Sequence, residues 1–462
     1  MKTVFTNPCK PLLTLSLACV VLATAVRAAD RKPNVVLIMA DDFGYECVTA
    51  NGGESYRTPH LDRLAATGMR FEQCHVQPLC TPTRLQLMTG IYNVRNYLEF
   101  GLIDPNVTTF GHLLKQAGYA TAICGKWQLG QAKNLPQRLG FDESYLWQHT
   151  RRPPRYANPG LEHNGEEKEF NGGEYGPSLL NDFALDYVTR HRDHPFFLYY
   201  SELLTHDPFQ PTPDSPDWDP TVKSEREKLD VKHFADMTAY MDKMIGRLMA
   251  KLDALGLREN TLVIFLGDNG THPTVTSRFK GTDYRGGKGE GTVRATHVPL
   301  IANWPGKIPA GRVNTNLVAS VDFMPTLCEL AGSKVPAVLR IDGQSFLPQL
   351  FGQKGQPRES FYLWYARNGG PTASHEFAQS TTHKLHRNGK FYDLTQDPFE
   401  EKPLPIANLS GRAAAEAKKL QVVLDQYANA RPKHLAEHVA TSGKGGKAGG
   451  GKKQSGKEKK SL

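Results

Sequence analysis

Four apolar runs of strand length each give way to residues suited to chemistry. Asn34 to Ala40 leads into Asp41-Asp42, Ala120 to Cys124 into Gly125-Lys126, Pro195 to Ser201 into Thr205-His206, and Thr261 to Leu266 into Asp268-Asn269. In open α/β sheets ligands bind at the carboxyl ends of the strands, so parallel neighbours would bring these groups together. Any one of them is accounted for by turn chemistry, since Asp and Asn are common after strands and a lone His commonly satisfies a local hydrogen bond. Turn chemistry does not account for four such endings jointly. Asp41, Asp42, Asp268 and Asn269 offer only oxygen ligands, which suits a hard cation such as Ca²⁺ better than zinc. Lys126, His206, Arg84 and Lys288 would then supply positive charge for a tetrahedral anion.

The elements that must position these residues alternate between β-branched or aromatic runs and amphipathic helices. That alternation predicts an α/β sheet covered by helices on both faces. Thr58-Pro59 opens a helix with proline in its first turn. Phe234, Met237, Met241, Ile245, Leu248 and Leu252 step by three and four, which predicts an amphipathic helix with its stripe on the core, its methionines being core filler. From about Phe351 the runs become short, polar and aromatic, with Lys384 to Phe391 forming a small hairpin around Asn388-Gly389. A second, smaller antiparallel unit is expected there.

Bulk properties narrow the class. Lys2 and Lys10 precede an apolar run from Leu12 to Ala23 and then Val26-Arg27-Ala28, the pattern of an export leader with a small-residue cleavage site. The run is too short to span a bilayer comfortably, and no later segment replaces it, so a soluble exported protein is expected, periplasmic or secreted. The cysteines beyond the leader, Cys47, Cys74, Cys80, Cys124 and Cys328, are odd in number and lack paired zinc spacing, which singles out one thiol as special. The net charge of +9 over 462 residues comes mostly from the last twenty residues, where seven lysines stand against Glu458. That Gly, Ser and Lys tail cannot repay its ordering entropy and reads as a disordered end. No nucleic-acid partner is expected.

One segment names the special thiol. Leu79-Cys80-Thr81-Pro82-Thr83-Arg84, followed by Thr89-Gly90, closely resembles the signature of the formylglycine-dependent (type I) sulfatases, arylsulfatase-like members of the alkaline phosphatase superfamily. Further motifs fall in the family's order: Met39-Ala40-Asp41-Asp42-Phe43-Gly44, Gly125-Lys126-Trp127-Gln128-Leu129-Gly130, His206-Asp207-Pro208, Gly267-Asp268-Asn269-Gly270, Gly287-Lys288-Gly289, Val321 to Leu327, and Phe391 to Leu394 with Asp397-Pro398. The resemblance spans roughly residues 33 to 404.

The resemblance implies a large mixed, mostly parallel sheet sandwiched by helices, with a smaller C-terminal antiparallel sheet. Together with the leader and tail read from composition, this divides the chain into a leader (1–28), a catalytic domain (32–350), a C-terminal α+β subdomain (351–430) and a basic tail (431–462). It implies that a maturation enzyme converts Cys80 to formylglycine and that Asp41, Asp42, Asp268, Asn269 and modified Cys80 hold calcium. Arg84 would stabilise the formylglycine hydrate, Lys126 and Lys288 would clamp sulfate oxygens, and His206 would protonate the leaving oxygen. Expected substrates are sulfated carbohydrate or a small sulfate ester. One departure stands out, because Gln128 occupies the place where the family has a histidine that helps release sulfate, and glutamine cannot take a proton near neutral pH. His272 and His297 are candidate substitutes. Arg151, Arg152, Arg155 and Tyr156, with Trp218, are candidates for lining a glycan cleft. Two competing readings are hydrolysis of a phosphate or phosphonate ester on the same fold, and a catalytically impaired relative that binds sulfated glycans.

Overall fold

A computed structural model describes Met1, Thr3 and residues 31–221, 230–370, 372–435 and 437. Nearly all of the expected leader and of the basic tail lies outside the described residues. Ten strands form one sheet, in the order Arg312–Ala319, Met69–His75, Leu300–Asn303, Thr261–Gly267, Asn34–Ala40, Phe196–Ser201, Ala120–Gly125, Glu143–Trp147, Gly160–His163 and Glu166–Glu169. The five from Thr261–Gly267 to Glu143–Trp147 run parallel. Leu300–Asn303 is antiparallel to both of its neighbours, and the far edge ends in an antiparallel pair. The sheet is thus mixed and mostly parallel.

The central strand Asn34–Ala40 is apolar after its first residue and buried throughout, as a parallel strand covered on both faces must be. Its alternate side chains serve two cores: Val35, Leu37 and Met39 join one cluster, and Val36, Ile38 and Ala40 the other. Helix His233–Ala254 covers the second face, with Phe234, Met237, Met241, Ile245, Leu248 and Leu252 all buried on the stripe expected from their spacing. The same helix caps another. Asp242 accepts the His60 and Leu61 backbone N–H groups (2.9 Å each) at the start of helix Pro59–Ala66, satisfying donors that have no partner inside that helix.

The smaller unit is a four-stranded antiparallel sheet, Phe361–Tyr365, His375–Gln379, His383–His386 and Phe391–Asp393, backed by helix Gly411–Tyr427 through Leu420 and Leu424. Its last hairpin turns at Asn388-Gly389, where Gly389 adopts φ +85°, a conformation that favours glycine. This sheet shares the core cluster of Val35, Leu37 and Met39. It also grips the loop 286–293. Buried Lys384 donates to the Gly291 carbonyl (2.7 Å) and pairs with Glu400 (2.9 Å), whose carboxylate accepts the Val293 N–H (2.6 Å). His375 Nε2 lies 3.0 Å from the Gly289 carbonyl.

Breaking this buried pair from one side leaves an uncompensated charge. Lys384→Ala is expected to cost about 3–5 kcal/mol of stability, whereas a double substitution, Lys384→Met with Glu400→Gln, should cost clearly less. Denaturant unfolding of both variants checks this.

Candidate active site

The four strand endings converge because their registers are level. Ala40 pairs with Gly267, Met39 with Ser201, and Gly125 with Ser201, so the central strands stop in one row. The backbone then ties the exits together: Asp268 N–H donates to Ala40 (2.9 Å), Thr205 N–H to Asp41 (2.7 Å), Asp41 N–H to Leu204 (2.9 Å) and Lys126 N–H to Ser201 (2.7 Å). Gly125, at φ +107°, makes the last connection possible; a Cβ there would stand 1.7 Å from the Ser201 carbonyl oxygen. Asp42 also turns in the left-handed region (φ 59°), sparsely populated except by residues such as Asp, Asn and Gly.

Asp41, Asp42, Asp268 and Asn269 are wholly buried, and three cations reach them. Lys126 Nζ donates to both Asp41 oxygens (2.7 and 2.6 Å), Arg84 Nη2 to Asp268 (2.9 Å) and Lys288 Nζ to Asp42 (2.5 Å). Burial alone would raise the Asp41 carboxyl, but Lys126, His206, Arg84 and Lys288 hold it well below the usual carboxylate range. Asp42 is likewise lowered, by His206 and Lys288 against burial. Asp268 goes the other way: burial and the Asp41 charge push it up to about 7 despite Arg84.

Cys80 and Arg84 arrive together on helix Cys80–Thr89, one turn apart, with Cys80 its first residue. Arg84 Nη1 donates to the Lys126 carbonyl (3.0 Å) and to Ser201 Oγ, so the guanidinium braces the whole row. Burial pushes the Cys80 thiol up, with Lys126 and Lys288 opposing and Asp268 and Asp41 assisting. An unmodified Cys80 is therefore a protonated thiol rather than a thiolate nucleophile. His206 lies at the mouth, 17% exposed, its Nε2 3.1 Å from Lys288 Nζ and 3.8 Å from Asp42, its Nδ1 3.0 Å from Asp207. Burial lowers its pKa, with the Lys288 charge assisting and Asp42 opposing.

All nine sequence-selected residues are thus in one place. The structure adds others. Thr271 Oγ1 donates to buried Glu46 (2.5 Å) and accepts the Gly44 N–H (3.1 Å), while its carbonyl takes the Lys288 N–H (3.0 Å), so one threonine joins the Asp41, Asp268 and Lys288 loops. Only its position after Asp-Asn-Gly hinted at this in the sequence. Two expectations need correction, those for His297 and Tyr156. His297 is outside the site: its ring stacks between Tyr45 and His75, its Nε2 meets the Glu72 carbonyl at 2.8 Å, and burial lowers it to about 4. Tyr156 is buried and its hydroxyl donates to the Leu203 and His206 carbonyls, so it supports the His206 segment instead of lining a cleft. Arg151 pairs with Glu167 and Glu169 on the surface, and Trp218 packs edge-on against Tyr175. His272 is close enough for Asp207, Asp42 and Lys288 to act on its charge, although its Nδ1 is engaged by Thr274 (2.8 Å).

Whether these residues fit a cation can be read from the donor set. Ligand atoms of Asp41, Asp42 and His206 lie within 4.8 Å of one another. Asn269 donates its amide N–H to Asp42 (2.8 Å), leaving a fully buried Oδ1 without a hydrogen-bond partner. A buried acceptor with no donor, beside carboxylates closed over by lysines, fits a hard divalent ion.

The fold and site define a hydrolase-type centre for a tetrahedral anion, at the carboxyl edge of a mostly parallel sheet. The chain belongs to the sulfatase family, whose model matches residues 33–333; a second model, N-sulphoglucosamine sulphohydrolase, C-terminal, matches residues 293–424. It is 31% identical to arylsulfatase A of Homo sapiens, over 86% of this chain and 87% of that protein. It is 30% identical to N-acetylgalactosamine-6-sulfatase of Mus musculus, over 91% and 88%. The solved structure of Ps i-CgsB in complex with k-i-k-neocarrahexaose superposes with a TM-score of 0.74 at 26% identity, covering 89% of this chain and 96% of that one. The protein is a sulfuric ester hydrolase. No helix among the described residues is long and apolar enough to cross a membrane.

Arg84 cannot be replaced by a point charge if it braces the row as described, since its fork makes separate bonds to Asp268, Ser201 and the Lys126 carbonyl. Arg84→Gln is expected to lower stability by roughly 3–5 kcal/mol, the cost of stripping a buried carboxylate of its partner, and Arg84→Lys to recover only part. Thermal and denaturant unfolding check the ranking.

Proposed function

We propose that the chain hydrolyses the sulfate ester of a carbohydrate or aryl alcohol through a formylglycine made from Cys80, with one calcium ion held by Asp41, Asp42, Asp268, Asn269 and the modified residue. The observation that carries this reading is the buried oxygen set at the level strand ends, with the orphaned Asn269 Oδ1 among them and Cys80 opening the helix that carries Arg84. When bound, the ion supplies Lewis acidity toward the sulfate oxygens and a template for the nucleophile. When formed, the formylglycine hydrate supplies one hydroxyl to attack sulfur and a second whose deprotonation releases sulfate.

This chain's own residues do the rest. Lys126 and Lys288 are held on Asp41 and Asp42, and would face the sulfate oxygens were those carboxylates to hold the ion. His206 brings a proton at Nε2 to the ester oxygen as the sulfur–oxygen bond breaks, so the alcohol departs neutral. Its Nδ1 faces Asp207, which orients the ring for that transfer. Arg84 holds the helix that carries residue 80 against the metal loops. The leader read in the sequence fits an exported enzyme.

The full chain, expressed in a host with an active formylglycine-generating system, is expected to yield a tryptic peptide Phe71 to Arg84 in which the Cys80 thiol is replaced by an aldehyde. An unmodified Cys80, in a host that matures a control sulfatase, would sink the mechanism and favour a protein that only binds sulfated glycans. Chelation is expected to lower Tm and abolish turnover, both restored by calcium. Asp42→Asn should lose the calcium-dependent rise in Tm, a readout independent of catalysis.

A further inference from the structure

Three of the four cations at the site have a carboxylate of their own; Arg155 does not. It lies beyond strand Glu143–Trp147, the next parallel strand after Ala120–Gly125, and so reaches the same carboxyl edge from a further loop. Its guanidinium lies over the Trp147 ring, 4.2 Å from the centroid, and its side chain is 14% exposed. The nearest carboxylate oxygen is Asp41 Oδ2 at 4.0 Å, already held by Lys126 at 2.6 Å. Among the described residues the guanidinium makes no hydrogen bond, and Nη1 is fully buried.

A guanidinium carries five donors, and burying charged donors unpaired is costly. Stacking on Trp147 offsets part of that cost and fixes the plane, yet it satisfies no N–H group. The arrangement is what a binding site for an anion looks like before the anion arrives: a rigid planar fork, mostly buried, with Nη1 4.0 Å from the Asp41 carboxylate that Lys126 holds. The Arg155 charge also acts on Asp207, the carboxylate beside His206, lowering it together with His206 and Lys288 against burial.

We propose that Arg155 is a substrate-binding residue whose guanidinium donates to the sulfate group of the bound ester, beside Lys126. This rests on the reading of the site as the sulfate ester centre. With Lys126, Lys288 and the ion, it makes a clamp around the anion, and its fork is suited to two sulfate oxygens at once.

The test compares matured wild type with Arg155→Ala and Arg155→Lys, using a small monosulfated aryl ester as substrate and inorganic sulfate as competitive inhibitor. Arg155→Ala is expected to raise KM and the inhibition constant of sulfate in parallel, on the order of ten- to a hundredfold, the scale of lost charge-assisted hydrogen bonds, with a smaller fall in kcat. Arg155→Lys should recover part of both. Should the alanine variant fail to fold, Arg155→Gln keeps the stem on Trp147 and carries the same expectation. Unchanged inhibition by sulfate in an active variant overturns the proposal. So does a loss confined to substrates bearing a second anionic group, which would put Arg155 outside the sulfate pocket. If wild type does not turn over, the proposed reaction fails, while calorimetric titration of wild type and Arg155→Ala with inorganic sulfate still decides the role of Arg155.

Discussion

The rest of the site depends on three carboxylates, Asp41, Asp42 and Asp268, buried together without solvent. Like charges so placed raise one another's proton affinity, and desolvation adds to it. Asp268 shows the consequence, pushed up to about 7, while Asp41 and Asp42 stay ionised only because Lys126, His206 and Lys288 face them. A chain has no structural reason to assemble such a group, since buried ion networks seldom improve on apolar packing. The arrangement makes sense as one half of a binding site, in which a divalent ion takes the carboxylates and the cations pass to an anion. The same residues thereby prepare both partners of the proposed reaction.

That constraint explains much of the architecture around it. Charges held within hydrogen-bonding distance need rigid supports, and the level ends of parallel strands provide them, with Arg84 reaching from one helix to three separate exits. The Lys288 loop follows a two-stranded hairpin, Thr276–Phe279 with Thr282–Arg285, instead of a strand of the large sheet, and it is held from two sides. Thr271 ties it to the carboxylate loops, and the smaller sheet fixes it through Lys384, Glu400 and His375. The smaller sheet is thus part of what positions the anion clamp, although none of its residues belongs to the clamp.

What the sequence disclosed divides along the same line. Asp41-Asp42, Lys126 and Asp268-Asn269 were legible because each stands at or within a residue of the end of a continuous apolar run, and His206 because it follows such a run by a few residues; the two-sided burial of a central strand imposes those runs. Cys80 and Arg84 were legible because they fall in a segment that resembles the family signature, whose spacing one helical turn maintains. The antiparallel placement of Leu300–Asn303 was not, since a short buried strand reads alike in either direction. Nor was the part played by Thr271, Glu46 or Lys384, which act through contacts with residues distant in sequence and carry no local pattern. Tyr156 and His297 misled for a related reason: aromatic and imidazole groups near a motif look functional, and only burial and partners show them to be props.

Gln128 shows how a backbone role and a side-chain role can separate. The residue sits at φ 57°, and its carbonyl accepts the hydroxyl of Thr81, the neighbour of Cys80, at 3.2 Å. That contact needs no particular side chain, so the loop keeps its shape without the family's histidine. The half-buried amide has no hydrogen-bond partner among the described residues and is free to orient a hydroxyl, but it cannot accept its proton. In the proposed reaction the proton released with sulfate must then go elsewhere. His272 is half-buried, with its basicity lowered by burial, and it lies where Asp207 and Asp42 act on it; with Nδ1 held by Thr274, its Nε2 is the nitrogen left to receive a proton. In the proposed reaction a glutamine at position 128 would thus alter the last proton transfer and leave the charged groups that face the anion in place.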